Sequence, residues 1–114
     1  MSEQTVTFET GSKRCADVAG GSRAYPLRYD LLPVEALRRW AETMGEGSLK
    51  YSDRNWEKGQ PASVIVNHAI AHLLEWLDGD RSEDHLGHCL FNLGALCHFE
   101  KHKPELIDTP IRGK

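Results

Sequence analysis

Apolar residues recur at three- and four-residue steps in three segments of the chain, and this spacing is the strongest constraint on its fold. In VEALRRWAETM, Val34, Leu37, Trp40, Ala41 and Met44 follow this spacing. Steps of three and four place side chains on one face of an α-helix, whereas strand residues alternate between two faces. The pattern therefore predicts an all-α fold.

The first two helices are bounded by proline and glycine. The first should follow Pro33, since proline is tolerated in a first helical turn, and its apolar pattern then reaches Gly45 and Gly47. The second should begin at residues 61–63, run to residue 78 and stop at Gly79. Its predicted buried stripe is Val66, Ala69, Ile70, Leu73, Trp76 and Leu77.

The third helix is predicted over residues 81–102. Asp80 has the character of an N-cap, and Glu83, three residues later, completes a capping-box pattern. The residues predicted to be buried are Leu86, Leu90, Leu93, Leu96 and Cys97.

A length of 114 residues predicts a single domain over residues 1–114. Residues 1–25 lack periodicity and should form an extended lead-in, with one short strand at 4–8. Two prolines predict an irregular tail over 104–114. Three helices with wide apolar faces are few for a closed core, so we expect a helical-bundle dimer or higher oligomer.

Charge and hydropathy exclude several classes of function. The formal net charge is −3 and the pI about 6.0, so no overall basic field favours long nucleic acid. No apolar run reaches the roughly 20 residues of a membrane span, and the N-terminus MSEQTVTFET has no apolar signal core. We expect a soluble, cytoplasmic protein without a membrane partner.

A row of carboxylates opposes the apolar stripe of the first predicted helix. Glu35, Glu42 and Glu46 fall within about 40° of one another at 100° per residue. Such a row is often only a solvated acidic face. It is also able to hold divalent cations, since Mg²⁺ prefers oxygen ligands.

Histidines mark the second and third predicted helices. His68 and His72 have the HxxxH spacing of a zinc pair, but HAIAH lacks the glutamate that follows the first histidine in the metalloprotease motif. Asp84, His88 and Asn92 step by four along the third helix. Acids in a first turn also stabilise a helix through its dipole. Polar stripes on all three helices favour one shared pocket.

The connection KYSDRNWEKG, over residues 50–59, is unusually rich in aromatic and amide side chains. Most short connections consist of Gly, Ser and Pro. Either Trp56 packs under the helices and the other side chains are solvated, or the loop holds a ligand through Tyr51, Asn55 and Trp56.

Several blocks of this sequence resemble the small dATP/dGTP diphosphohydrolase family of phages and bacteria, which is similar to the MazG-like nucleotide pyrophosphohydrolases. The blocks cover nearly the whole chain, with FETGSKR near the start and PELID near the end. The longest are RYDLLPVEALRRWAE (28–42), KYSDRNWEKG (50–59) and HAIAHLLEWLDGDRSEDHLGHCLFNLGAL (68–96).

The resemblance implies an α-helical, usually oligomeric enzyme that converts a (deoxy)nucleoside triphosphate to the monophosphate and pyrophosphate. MazG-like enzymes hold Mg²⁺ or Mn²⁺ with four acids from two helices, in an ExxE…ExxD pattern. This chain departs from it: Glu42 and Glu46 are four apart, Glu75 and Asp78 lie in the second helix, and Glu83 is followed directly by an aspartate. The resemblance also implies a bacterial or phage-infected host cell.

The resemblance assigns roles to residues of this chain. The implied metal ligands are Glu35, Glu42, Glu83, Asp84, His72 and His88, with Asp80, Glu46 and Glu75 as substitutes. The implied catalytic residues are Glu35, Glu42 and Asp84. The implied substrate-binding residues are Lys50, Tyr51, Arg54, Asn55 and Trp56, with Arg28 and Arg81 behind them. Acids that share a metal repel one another without it, so their amide variants should not lose stability.

Two other functions remain open. A non-catalytic nucleotide-binding or regulatory helical module would bind a nucleotide without turnover. A zinc hydrolase built on His68 and His72 would carry stoichiometric zinc.

Overall fold

The computed structural model describes residues 5–15 and 25–110. The chain divides into two compact units, Met1–Leu32 and Pro33–Lys114. The single domain predicted from the length stays a prediction.

The first unit contains a short hairpin. Its strands, β1 (Thr5–Thr7) and β2 (Lys13–Cys15), pair antiparallel with Val6 opposite Arg14. Gly11 lies in the turn with φ of 88°, a conformation that glycine adopts readily. The strand expected at residues 4–8 is confirmed at β1, with residue 4 outside the described residues. The second strand was not predicted.

The second unit is built from three helices, which confirm the predicted all-α fold. They are α1 (Val34–Lys50), α2 (Ala62–Leu77) and α3 (His85–His102). Two single-turn 3₁₀ helices lie at Asn55–Lys58, before α2, and at Pro104–Leu106, after α3. No helix in the described residues is long and apolar enough to cross a membrane.

α1 continues through the glycines at which its apolar pattern ends. It begins directly after Pro33 and passes Gly45 and Gly47 to end at Lys50. The Ser48 hydroxyl donates to the Gly45 carbonyl at 2.8 Å. The first residue of the predicted ligand loop therefore belongs to a helix.

The tail caps the start of α2. Asp108 accepts one hydrogen bond from the Ser63 backbone N–H (2.8 Å) and one from its hydroxyl (2.7 Å). Because the first N–H groups of a helix have no partner within it, a distant carboxylate can serve as their cap. The end predicted for α2 at Gly79 is confirmed, and this glycine has a φ of 97°.

The start predicted for α3 is wrong by four residues. Asp84, not Asp80, is the N-cap, and its side chain accepts from the Gly87 backbone N–H at 3.1 Å. The Asp80 carboxylate instead accepts from the Ser82 hydroxyl and from His85. A capping pattern exists around both aspartates, and these side-chain bonds decide between them.

The core lies where α2, α3 and the two single-turn helices meet. Ile65, Ala95 and Phe99 are buried, and Trp56 and Leu106 pack against them. α1 approaches α3 closely because Trp40 lies over Gly94, where a β-carbon would be 2.0 Å from the indole.

The stripes predicted to be buried on α2 and α3 are wrong in part for the single chain, since about half of their residues are exposed and the others are partly buried. Ile70 and Leu73 are each 52% exposed and Leu77 is 73% exposed, while Leu93 and Cys97 of α3 are also exposed. The fully buried residues of α3 instead combine small and polar side chains with Phe99. Burial in α3 falls on His85, Gly87, Asn92, Ala95 and Phe99.

Candidate functional site

A cavity of about 470 Å³ lies in the second unit, among the end of α1, the connection after it, α2 and α3. Four of the five predicted substrate-binding residues line it: Lys50, Tyr51, Asn55 and Trp56. Histidines and one amide from the two later helices form the facing wall. They are His68, His72, His88 and Asn92. Side chains of the polar stripes on α2 and α3 thus line the same cavity, and their functional role stays a prediction.

The two aromatic residues of the loop lie in different environments. Trp56 packs edge-on against His98, with ring centroids 4.9 Å apart, and against Phe99 of the core at 6.1 Å. Tyr51 is 71% exposed. Gly59 ends the loop beside Leu106, and its φ of 96° favours glycine. The loop is thus anchored by its tryptophan, while its tyrosine is an exposed part of the cavity lining.

The predicted arginines are engaged elsewhere. Arg54 is not part of the cavity lining and pairs with Glu57 at 2.6 Å. Arg28 pairs with Asp30 within the first unit. Arg81 donates to the Trp76 carbonyl at 2.7 Å and lies over the indole ring. Lys50 is therefore the predicted cation that lines the cavity.

Three predicted metal ligands converge at one side of the cavity. His72, Glu83 and His88 each offer one ligand atom, and these atoms lie within 4.8 Å of one another. Glu83 Oε1 is 3.0 Å from His88 Nδ1 and 3.6 Å from His72 Nδ1. Partial burial, followed by the neighbouring His88, lowers the pKa of His72, which favours the neutral ring that a metal ion requires.

A second pair of residues supports this cluster from behind. His85 is buried, with 4% exposure, and its Nδ1 lies 2.9 Å from His72 Nδ1. On its other side, His85 Nε2 lies 2.5 Å from Asp80 Oδ2. Hydrogen bonds from His85 and then Ser82 lower the pKa of Asp80. His85 is not among the site residues predicted from the sequence, although its HxxH spacing to His88 is a signal for it.

The other predicted acids lie outside these groups. In the part of the chain that the structure describes, residues able to ligate a metal group as His72–Glu83–His88 and as Glu75–Asp80–His85. Glu35 is exposed and pairs with Arg38, Asp84 is held by Arg39, and Glu42 is exposed. Glu46, one turn after Glu42, lines the cavity. The metal and catalytic roles of Glu35, Glu42 and Asp84 stay predictions.

The His72–Glu83–His88 donor set fits a divalent cation. It combines two ring nitrogens with one carboxylate oxygen, all at least partly accessible, and its two histidines line the cavity. Mn²⁺ and related ions accept both donor types.

The chain matches a known protein family over most of its length. The family model described as "dATP/dGTP diphosphohydrolase, N-terminal" matches residues 19–109. That range contains the cavity, the histidine cluster and the loop. No curated protein and no solved structure matches the chain.

Proposed function

This chain belongs to the dATP/dGTP diphosphohydrolase family, and from that premise we propose that it hydrolyses a (deoxy)nucleoside triphosphate, dATP or dGTP. The products would be the monophosphate and pyrophosphate, and the reaction would use Mg²⁺ or Mn²⁺. It would act in the cytoplasm of a bacterial or phage-infected cell.

One observation carries the proposal: the loop and the histidine cluster line the same cavity. Lys50, Tyr51 and Asn55 lie on one wall and His72 and His88 on another. A volume of about 470 Å³ lies within the usual range of small-molecule sites. A ligand in this cavity can contact a cation, a hydrogen-bonding amide and an aromatic ring at once, as a nucleoside triphosphate requires.

Each wall has a distinct task in this reaction. Lys50 would pair with phosphate oxygens, Tyr51 would stack on the base, and Asn55 would hydrogen-bond its edge. A cation on His72, Glu83 and His88 would neutralise phosphate charge and lower the pKa of bound water.

Hydrolysis breaks the bridging P–O bond between the α- and β-phosphates. Oxygen from water joins the α- or the β-phosphorus, the group on the other side of the broken bond leaves with the bridging oxygen, and one proton of the water passes to a carboxylate. Glu46 is the α1 glutamate that lines the cavity, so we assign it this proton. Glu42, one turn earlier, keeps the metal-binding role that the sequence predicts.

The test is a panel of the eight common dNTPs and NTPs with Mg²⁺ or Mn²⁺, in which nucleoside monophosphate and pyrophosphate are both measured. We expect turnover that favours the purine deoxynucleotides and stops in excess EDTA. Lys50→Ala should raise KM at least tenfold. Lys58→Ala, on the same loop but outside the cavity lining, is the matched control and should leave KM unchanged.

A non-catalytic nucleotide-binding module is the second candidate. Two predicted catalytic acids form ion pairs with arginines: Glu35 with Arg38, and Asp84 with Arg39. These pairs favour a non-catalytic module, because they engage the carboxylates that catalysis would use. Binding of dATP or dGTP with no pyrophosphate released in Mg²⁺ or Mn²⁺ would select this function over the enzyme.

A further inference from the structure

Three imidazoles face a single carboxylate oxygen. The Nδ1 atoms of His88, His72 and His85 lie 3.0, 3.6 and 3.9 Å from Glu83 Oε1. Four atoms that each can carry a lone pair therefore gather in one small volume, next to the cavity. Such an arrangement needs protons or a cation among these atoms, because lone pairs that face one another repel.

Asp80 determines which nitrogen of His85 carries a proton. Its carboxylate lies 2.5 Å from Nε2 of this ring, and the Ser82 hydroxyl, at 2.9 Å, holds the carboxylate in place. A carboxylate accepts hydrogen bonds, so Nε2 carries the proton and Nδ1 of the neutral ring carries the lone pair. A carboxylate behind a histidine is the usual support of a metal-bound imidazole.

The spacing of the donor atoms suits direct coordination. Bonds of about 2.1 Å place neighbouring ligand atoms about 3.0–3.4 Å apart in common metal geometries. The 2.9 Å between Nδ1 of His72 and His85 and the 3.0 Å between Glu83 and His88 are close to these values. The distances from Glu83 to His72 (3.6 Å) and to His85 (3.9 Å) are longer, and coordination requires the glutamate, which is about half exposed, to move closer to both rings.

We propose that His85 completes, with His72, His88 and Glu83, a three-histidine, one-carboxylate centre for a transition-metal dication, with Asp80 as its positioning residue. Imidazole nitrogens suit Mn²⁺, Fe²⁺, Co²⁺ and Zn²⁺, whereas Mg²⁺ takes oxygen ligands and keeps its waters. The centre selects a transition metal over Mg²⁺. This inference deepens the proposed function, on which its catalytic meaning rests, but metal binding itself needs no turnover.

The test is calorimetric titration of the full chain, stripped with EDTA and dialysed, with MnCl₂, ZnCl₂ or MgCl₂ and no nucleotide. We expect one equivalent of Mn²⁺ or Zn²⁺ to bind at least a hundredfold more tightly than Mg²⁺. Pulsed EPR of the Mn²⁺ form should show coupling to imidazole nitrogens. Equal affinity for Mg²⁺ and Mn²⁺, or no binding of either transition metal, overturns the proposal.

Variants separate this centre from the neighbouring Glu75–Asp80–His85 group. Asp80→Asn and His85→Gln should each weaken Mn²⁺ binding about ten- to a hundredfold, and His85→Gln should reduce the nitrogen coupling. Glu75→Gln is the matched control and should bind like wild type. Weaker binding in Glu75→Gln with normal binding in His88→Gln would place the metal in the other group and overturn the assignment. Circular dichroism confirms that each variant is folded.

The same titrations distinguish failure here from failure of the proposed function. If Mg²⁺ alone supports hydrolysis and His85→Gln does not change the rate, the proposed enzymatic function stands and the proposed metal centre is rejected. If the protein binds Mn²⁺ tightly but hydrolyses no nucleotide, the proposed metal centre stands and the proposed enzymatic function is rejected.

Discussion

Arg39 of α1 and Asp84 at the start of α3 form a charge pair that joins the two helices. Arg39 Nε lies 3.1 and 3.2 Å from the two carboxylate oxygens, and the same carboxylate caps α3 through the Gly87 N–H. The hydrogen bond from Arg39 holds the pKa of Asp84 below its usual value. Asp84 thus lies beside the Arg39 guanidinium. The repulsion that was expected among carboxylates sharing a metal therefore does not apply to Asp84.

The first prediction is that Asp84→Asn lowers the free energy of unfolding by about 1 kcal/mol, because asparagine keeps the cap but loses the charge pair. Urea denaturation of the metal-free protein measures this loss. Glu35→Gln, which breaks an exposed pair with Arg38, is the control and should change stability by less than about 0.5 kcal/mol. An Asp84→Asn protein as stable as wild type contradicts the prediction. The proposed catalytic role of Asp84 requires, in addition, at least a hundredfold loss of kcat.

The second prediction separates the two aromatic residues of the loop. Trp56→Ala should cost about 3 kcal/mol of stability, because it removes a large side chain packed on Phe99 and the core. Tyr51→Ala should leave the thermal midpoint within a few degrees and raise KM for the nucleotide, since this ring is exposed. Thermal melts of both variants measure the loss of stability, and steady-state kinetics measure the change in KM. A large stability loss in Tyr51→Ala, or a KM unchanged by it, would contradict the stacking role.

The third prediction concerns the cap that Asp108 places on α2. Hydrogen bonds from Ser63 lower the pKa of Asp108 below 3.8. Its contribution to stability is therefore complete above pH 3.8 and is lost as the pH falls through the lower pKa of the folded protein. The amide resonance of Ser63 should report this titration by NMR. Asp108→Ala should abolish it and lower the thermal midpoint, whereas Glu105→Ala, on the same tail, should do neither.

The helices were predictable because each has a local signal. Pro33 and Gly79 mark a start and a stop that any tertiary packing must respect, and the structure keeps both. The start of α3 was not predictable from the sequence, because Asp80 and Asp84 are both residues of the type that caps a helix. The choice depends on His85, whose buried ring binds Asp80.

The buried faces were less predictable than the helices. Periodicity identifies the apolar side of α2, yet Leu73 and Leu77 on that side are exposed in the single chain. The contact between α1 and α3 depends on Gly94 of α3. Trp40 of α1 lies so close to this glycine that a larger residue would separate the two helices. Such a fit between distant side chains has no local signal. The histidine cluster was predictable in part, since His72 and His88 lay on polar stripes.

The fourth prediction is that the protein is a dimer or larger. Ile70, Leu73 and Leu77 share one face of α2 and are more than half exposed. A second copy of the chain can cover this face with the same face of its own, as in a twofold helical bundle. Light scattering at micromolar concentration should give at least twice the chain mass of 12.8 kDa.

A charge on this face tests the interface. Leu73→Glu should dissociate the assembly, since it would place a carboxylate in the apolar contact. Leu49→Glu, at an exposed apolar residue of α1, is the control and should leave the mass unchanged. A monomeric wild type would contradict the prediction.

The last prediction concerns the two glutamates that stand one turn apart on α1. Glu46 lines the cavity, so Glu46→Gln should remove the proton acceptor and lower kcat at least a hundredfold, equivalent to about 2.7 kcal/mol of barrier, with little change in KM. A metal-binding role for Glu42 predicts that Glu42→Gln lowers kcat and weakens Mn²⁺ binding, whereas a metal centre formed by the histidine cluster predicts that Mn²⁺ binding is unchanged.

Glu100→Gln, at an exposed residue of α3, is the control for both variants. Steady-state kinetics and calorimetric Mn²⁺ titration of the three proteins separate the two roles, because a proton acceptor affects turnover alone. Turnover within threefold of wild type in Glu46→Gln would exclude it as the acceptor. A loss of kcat in Glu42→Gln without weaker metal binding would identify Glu42 as the proton acceptor.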